Sequence, residues 1–410
     1  MTGPLRVILA HNFYREPGGE DVVFRAEEAL LSEAGHEVWT FTVDNADLDE
    51  RSAVRTACNT VWNRGTARRL GDMVRSMGAD VVHFHNTFPL MSPSCHGAAR
   101  SAGAAVVQTL HNYRLYCPAG TFLRSGEPCE RCADTSWPWP SIRFGCYRGS
   151  RSASAATAAM LVVHRVLGTW HKDVDMFLAL SEHGRRRFEG LGLSRERLRT
   201  KPNFVAPDPG PGSGEGEFVL FAGRLTEEKG VRTLLEAAEQ IGGSLRWKIM
   251  GQGPLEHLVR DVTMKNQGLS WRGGRPHSEV LGEMGRALVV VVPSIWEEPF
   301  GRTVIEAFAT GTPVIASRCG ALPELVTDKV DGFLVPPGDA PAIVEAIRSL
   351  QSRPDRAAAM RVAARRTFEA RFTQARNVKL LLGAYAEAIA RRRAHPPVSD
   401  ESPPVRGTVA

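Results

Sequence analysis

Short β-branched runs alternate with amphipathic helical patterns along nearly the whole chain, and one stretch, 206–216, breaks that alternation in two. Alternation of this kind leaves few options. Strands separated by helices pair in parallel, and a parallel strand must be covered on both faces. In the first series 6–12, 37–43, 80–85, 105–110 and 175–180 read as strands, and 21–34 as a helix with Val22, Ala26, Ala29 and Leu30 on its apolar stripe. In the second, 218–222, 246–250, 289–292, 314–316 and 333–335 are strands. There 231–241 is a helix with Leu234, Leu235, Ala238 and Ile241 inward. The break itself, Ala-Pro-Asp-Pro-Gly-Pro-Gly-Ser-Gly-Glu-Gly, carries neither period and reads as a linker.

The fold class is therefore α/β, with two Rossmann-like domains facing each other across a cleft, 1–205 and 206–373. A helix follows at 374–393, and the Pro- and Ser-rich tail 394–410 is expected to be disordered. A length of 410 residues suits two cores better than one. A net charge of +6 favours anionic ligands, does not call for nucleic acid, and leaves peripheral contact with an anionic membrane face open. The basic clusters at 185–187 and 391–393 read as solvated helix faces. The amino terminus runs straight into the first strand, and no apolar run approaches the ~18 residues of a span. A cytoplasmic protein is expected, at most peripheral at the inner membrane face.

Within the second series, the buried run ending at Val292 is stopped by Pro293 and followed by a loop holding Glu298, then Gly301 and a helical pattern carrying Glu306. Strand, polar loop and helix N-terminus in that order present a ligand site at the carboxyl edge of a parallel sheet. Carboxylates that accept from hydroxyls, beside free N–H groups that favour an anion, suit a nucleotide sugar. A second loop, Gly223-Arg224-Leu225-Thr226-Glu227-Glu228-Lys229, puts two cations where a diphosphate leaving group would develop charge.

Glu298 and Glu306, with Pro293, Ser294, Phe300 and Gly301, resemble the E-x7-E signature of family 4 glycosyltransferases. The resemblance implies a GT-B fold and retaining transfer from a nucleoside-diphosphate sugar to a hydroxyl acceptor, a glycan or lipid-linked glycan, in polysaccharide or glycoconjugate biosynthesis. It also implies that the final helix crosses back to the first domain. By the same resemblance Arg224 and Lys229 bind the diphosphate, Glu306 the ribose, and Glu298 with the Phe300-Gly301 backbone the donor sugar. Gly223 and Gly251 then line the nucleotide, and Gly18 and Gly19 form a first-domain glycine loop near the donor phosphate. His111 ends a first-domain strand and is a candidate to face the cleft. Many family members follow that histidine with Asp, whereas this chain has Asn112. Met250-Gly251-Gln252-Gly253 lacks the third glycine of a dinucleotide fingerprint, which disfavours a nicotinamide cofactor. With no metal-binding pair of aspartates in a suitable loop, catalysis is expected to need no cofactor. A GT-B-fold sugar-nucleotide epimerase and a non-catalytic nucleotide-sugar-binding protein are the alternatives. Glu27 and Glu28 read as solvated helix residues, and His83 and His85 as cleft lining or core.

Cys117, Cys129, Cys132 and Cys146 fall within an insertion, 113–150, rich in Pro, Gly and Trp and without periodicity. Four thiolates there can hold a structural zinc, and an aperiodic segment of that length needs such a staple. Disulfides and unligated thiols remain open. The total of seven cysteines is odd, and Cys58, Cys95 and Cys319 read as small buried hydrophobes.

Overall fold

The computed structural model describes residues 3–15, 18–48, 52–216 and 218–395. From residue 396 on, the tail expected to be disordered lies outside the described residues. Among the described residues eight strands lie before the linker: β1 (Arg6–Phe13), β2 (Glu37–Asp44), β3 (Val81–Asn86), β4 (Ala105–Leu110), β5 (Leu123–Arg124), β6 (Glu127–Pro128), β7 (Met176–Ala179) and β8 (Leu198–Thr200). After it come β9 (Phe218–Ala222), β10 (Arg246–Met250), β11 (Leu269–Trp271), β12 (Val289–Val292), β13 (Val314–Ser317) and β14 (Gly332–Val335).

The first sheet has the order β2-β1-β3-β4-β7-β8 and the second β11-β10-β9-β12-β13-β14. Every pairing in both is parallel. Each sheet reverses its strand order once, beside β1 in the first and beside β9 in the second. Crevices at the carboxyl ends of strands open at such switch points, which places the loops after β1, β9 and β12 at the prospective site. The edge strands β8 and β11 have three residues each, too few for a period to show in the sequence.

Burial explains the central strands. β3, β4, β12 and β13 have no exposed residue; β12 is apolar on both faces, whereas β3 and β4 also bury His83, His85, Asn86, Gln108 and Thr109. The last helix, Gln374–Ala394, leaves the second domain and lays Leu381, Ala384, Tyr385, Ala388 and Ile389 against Val7, Leu9, Phe24, Val81 and Met176 of the first. That interface ties the chain's end to the face of the first sheet.

The insertion is more ordered than its composition suggests. Tyr113, Cys117 and Phe122 join the first domain's core, with Tyr113 packed between Phe122 and Phe188. β5 and β6 form a hairpin, and a helix spans Trp139–Phe144. Aromatic packing, which a scan for periodicity does not register, holds this end of the insertion to the core.

Candidate functional site

The loop after β9 is held flush against the loop after β12. Gly230 has φ +71°, and a Cβ there would lie 1.8 Å from the Pro293 carbonyl oxygen. This close approach brings Lys229 to Glu298. The ammonium donates to both carboxylate oxygens, at 2.8 and 2.9 Å. Ser294 Oγ and Trp296 Nε1 also donate to Glu298 Oε2, at 3.0 and 2.7 Å. Burial alone would raise the Glu298 pKa, but the Lys229 charge and these hydrogen bonds outweigh it and the carboxyl sits below its ordinary value. Arg224 projects from the same loop, its side chain 61% exposed and 3.5 Å from Glu228.

Gly301, at φ +98°, precedes the helix Arg302–Ala309; the Val304 N–H turns back to the Gly301 carbonyl, and the N–H groups of Arg302 and Thr303 come before any helical acceptor. A Cβ at Gly301 would fall 2.5 Å from Leu322 Cδ2. One turn in, Glu306 accepts from His277 Nε2 at 2.9 Å and lies 2.9 Å from Arg302 Nε. Burial works against its charge, yet Arg302 and then His277 hold it below the ordinary carboxylate value. The sequence reading missed His277 because its partner lies 29 positions away on another element. The Phe300 side chain is buried in the core against Phe372, so only its backbone is available to a ligand. At Gly251 a Cβ would lie 1.8 Å from the Gly223 carbonyl oxygen. The Gly251 N–H is already bonded to Gly273 and that of Gly223 to Met250. These two glycines pack loops together; their N–H groups are taken.

The first domain meets this edge. Gly18 N–H donates to Asp21 Oδ2 at 2.6 Å, and the other Asp21 oxygen pairs with His11 Nε2, so the glycine loop is clamped to β1. Arg302 Nη1 reaches the Gly19 carbonyl at 3.4 Å, linking the two domains beside Glu306. The next residue, Glu20, accepts from Tyr14 Oη at 2.8 Å and from Asn112 Nδ2 at 2.9 Å. Burial raises the Glu20 pKa against the lowering effect of those bonds. Glu20, in the first turn of the helix Gly19–Glu33, thus sets a carboxyl group beside Asn112. His111 stacks on His85, centroids 5.3 Å apart, and the pair shares a 3.1 Å hydrogen bond. His111 lines a cavity together with His85, Thr87, Asn112 and Arg114.

Glu27 corrects the sequence reading. It is fully buried, bonded to the buried Lys201 and close to His83 and His85. An inward-facing glutamate on an amphipathic helix looks solvated until its partner, 174 positions on, is placed beside it. Cys58 is exposed and Cys319 only partly buried, whereas Cys95 is buried as read.

All seven cysteines are free thiols. Burial raises the Cys132 thiol to about 11, and Cys117, Cys146 and Cys129 all lie near enough to add to the rise. Among the described residues the only three or more ligand atoms all within 4.8 Å of one another belong to Glu27, His83 and His85. The four insertion thiols are neighbours without forming a closed cage. At the Glu27 group the Lys201 ammonium already supplies the cation.

Comparison with known proteins covers most of the chain. Residues 17–209 match the family model Glycosyltransferase Family 4, and 209–367 match Glycosyl transferases group 1. The D-inositol 3-phosphate glycosyltransferase 1 of Catenulispora acidiphila is 29% identical over 343 residues, 79% of this chain and 76% of that protein. The phosphatidyl-myo-inositol mannosyltransferase of Mycobacterium leprae is 29% identical over 211 residues, 48% of this chain and 56% of its own. The chain spans about half the length of the first such relatives it matches. Among solved structures, sucrose-phosphate synthase from Thermosynechococcus elongatus superposes with a TM-score of 0.69 at 18% identity, over 94% of this chain and 99% of that one. Anabaena HepE in complex with UDP-glucose gives 0.64 at 16%, over 93% and 100%. The fold is GT-B, as the two sheets and their cleft indicate.

Proposed function

We propose that this chain is a glycosyltransferase, moving a sugar from a nucleoside-diphosphate donor to a hydroxyl acceptor with retention of anomeric configuration. The observation that carries this reading is the paired Lys229–Glu298 and Arg302–Glu306 arrangement at the switch point of the second sheet, facing the glycine loop of the first. Lys229, aimed by Glu298, and the exposed Arg224 receive the diphosphate. Glu306 accepts from the ribose hydroxyls. In the structure Glu298 already accepts four hydrogen bonds, so it serves the donor chiefly by fixing Lys229, and its contact with the sugar requires one of these bonds to yield. The Gly301 end of the helix Arg302–Ala309 offers N–H groups to the phosphate.

In a same-face displacement the C1–O bond to phosphate breaks while C1 bonds to the acceptor oxygen. The acceptor proton passes to the departing phosphate oxygen. Such a route needs no carboxylate nucleophile at glycosidase spacing and no metal ion, because Arg224 and Lys229 meet the developing charge.

The four insertion thiols fit a structural zinc that draws them together on binding, since metal displaces thiol protons and supplies folding energy. On the same insertion Trp137, Trp139 and Phe144 are exposed, with Arg124, Arg131 and Arg143 around the Phe144 ring. Aromatic and basic groups together favour peripheral contact with an anionic surface. Among the described residues no helix is long and apolar enough to cross a membrane.

The test is nucleoside-diphosphate release from a panel of UDP-, GDP- and ADP-sugars in the presence of chelator. Release from one donor, lost in Lys229→Ala, is expected. Failure of the wild-type protein to bind any free nucleoside diphosphate by calorimetry refutes the reading.

A further inference from the structure

The first domain buries a charged chain of side chains that the donor site does not use. Lys201 and Glu27 pair through Glu27 Oε1 with side chains 1% and 0% exposed. Glu27 Oε2 lies 3.3 Å from His85 Nε2, an ion-pair distance without hydrogen-bond alignment, and neither atom has a hydrogen-bond partner among the described residues. His83 is also near, but its two ring nitrogens are taken by Tyr385 Oη and Thr109 Oγ1, at 2.8 Å each. On its other side His85 Nδ1 faces His111 Nε2 at 3.1 Å. His111 lines the cavity at the carboxyl end of β4, beside the Asn112–Glu20 contact that leads through Gly19 to Arg302.

We propose that Glu27, held in place by Lys201, fixes the tautomer of His111 through His85, so that His111, at the wall of this cavity, keeps a bare Nδ1 as a hydrogen-bond acceptor for a substrate hydroxyl. The logic is one of proton counting. An ionised carboxylate repels a bare ring nitrogen and attracts its N–H, so the carboxylate 3.3 Å away favours the proton on His85 Nε2. A neutral His85 then has a bare Nδ1, and His111 must donate to it from Nε2. A neutral His111 is left with an unprotonated Nδ1, which makes no hydrogen bond to the described residues. The required charge states agree with the surroundings. Burial opposes the charge on Glu27, but Lys201, His85 and His83 together hold its carboxyl well below the ordinary range. Burial pushes His85 down, against the pull of Glu27. His111 is pushed well down, first by burial and then by His85. Glu27 and His85 are positioning residues, since they act on substrate only through His111. This inference rests on the glycosyltransferase reading for the identity of the hydroxyl, a group of the donor sugar or of the acceptor, but not for the tautomer.

Nitrogen-15 NMR of histidine-labelled full chain reads which ring nitrogen carries the proton, with the His111 signals assigned by their loss in His111→Gln. In the wild type His111 should be neutral and protonated on Nε2. In Glu27→Gln, Lys201 holds the amide oxygen, the amide N–H₂ turns to His85, and both histidines invert; kcat should fall roughly 10²-fold or more with little change in donor KM. In Glu27→Gln/Lys201→Met the amide is free to turn its oxygen to His85, which should return His111 to the Nε2–H form and recover turnover. A wild-type His111 protonated on Nδ1, or carrying both protons at neutral pH, overturns the proposal even if neither Glu27 variant folds. An unchanged tautomer in folded Glu27→Gln overturns it as well. A wild-type Nε2–H tautomer inverted by Glu27→Gln, in a protein that binds no nucleoside diphosphate, supports the relay and refutes the glycosyltransferase reading instead.

Discussion

Removing the cation from the Lys201–Glu27 pair tests how much of the first domain's stability rests on one buried charge contact. Lys201→Met keeps most of the side-chain volume but leaves the Glu27 carboxylate, 0% exposed, facing apolar walls and two neutral imidazoles. Breaking a buried pair by deleting one partner costs about 3–5 kcal/mol, because the remaining charge is desolvated and uncompensated. A domain of this size loses about 2–4 °C of melting temperature per kcal/mol, so the first domain should melt roughly 6–20 °C lower. The pH dependence fixes the cause. With Lys201 present the folded Glu27 pKa is depressed, so the pair contributes its stability above the unfolded carboxyl value of about 4.3 and loses it as pH falls through the folded value. With Lys201 gone, burial raises the folded pKa instead. The deficit of the variant should then shrink in acid and grow as pH rises above about 4.3. His83 and His85 can recover part of it by taking a proton, which acts in the same direction. Urea unfolding at pH 5, 7 and 9, followed by far-ultraviolet circular dichroism, measures this directly. In Lys201→Met/Glu27→Gln the buried charge is absent, and most of the loss should be recovered. A single variant within about 1 kcal/mol of wild type at pH 9, or a double variant no more stable than the single, would refute the argument.

Further consequences can be checked with the same protein. Lys229→Ala should lower kcat for donor turnover by roughly 10²–10³-fold, the range for losing one electrostatic donor at a developing anion, with correct folding confirmed by its melting curve. Because Glu298 and Glu306 both sit below the ordinary carboxylate value, donor kcat/KM should show no acid limb from them until pH falls below about 4.3; a limb near pH 6 that Glu306→Gln removes would contradict this. Gly251→Ala would put a methyl 1.8 Å from the Gly223 carbonyl oxygen at φ +145°, so it should destabilise the second domain by more than about 3 kcal/mol in urea unfolding. The protein purified from zinc-supplemented medium should carry one zinc per chain by mass spectrometry, and Cys132→Ser should lose it; equal metal content in both would exclude the insertion thiols as its ligands.

The short strands β5, β6, β8 and β11 aside, the sequence determined the longer parallel strands, the linker and the loops that carry Lys229, Glu298 and Glu306. Each is recorded locally, because burial on both faces of a parallel strand demands an apolar run, and a strand-to-helix turn at a ligand edge demands glycine and polar residues in order. It could also place His111 at the carboxyl edge of the sheet, one residue past β4, since that needs only the strand's length. Tertiary structure alone decided what those groups face. Glu27 is spaced like any helix glutamate, and only the return of the chain at Lys201 makes it a buried ion. Glu20 gains meaning from Asn112, 92 positions away, and Glu306 from His277 on a different helix. The insertion looked structureless because it is held by Tyr113, Phe122 and Phe188, contacts with no period. Local pattern records how far each residue is hidden from water; which partner waits there depends on how the two sheets and the last helix close, and no single segment carries that information.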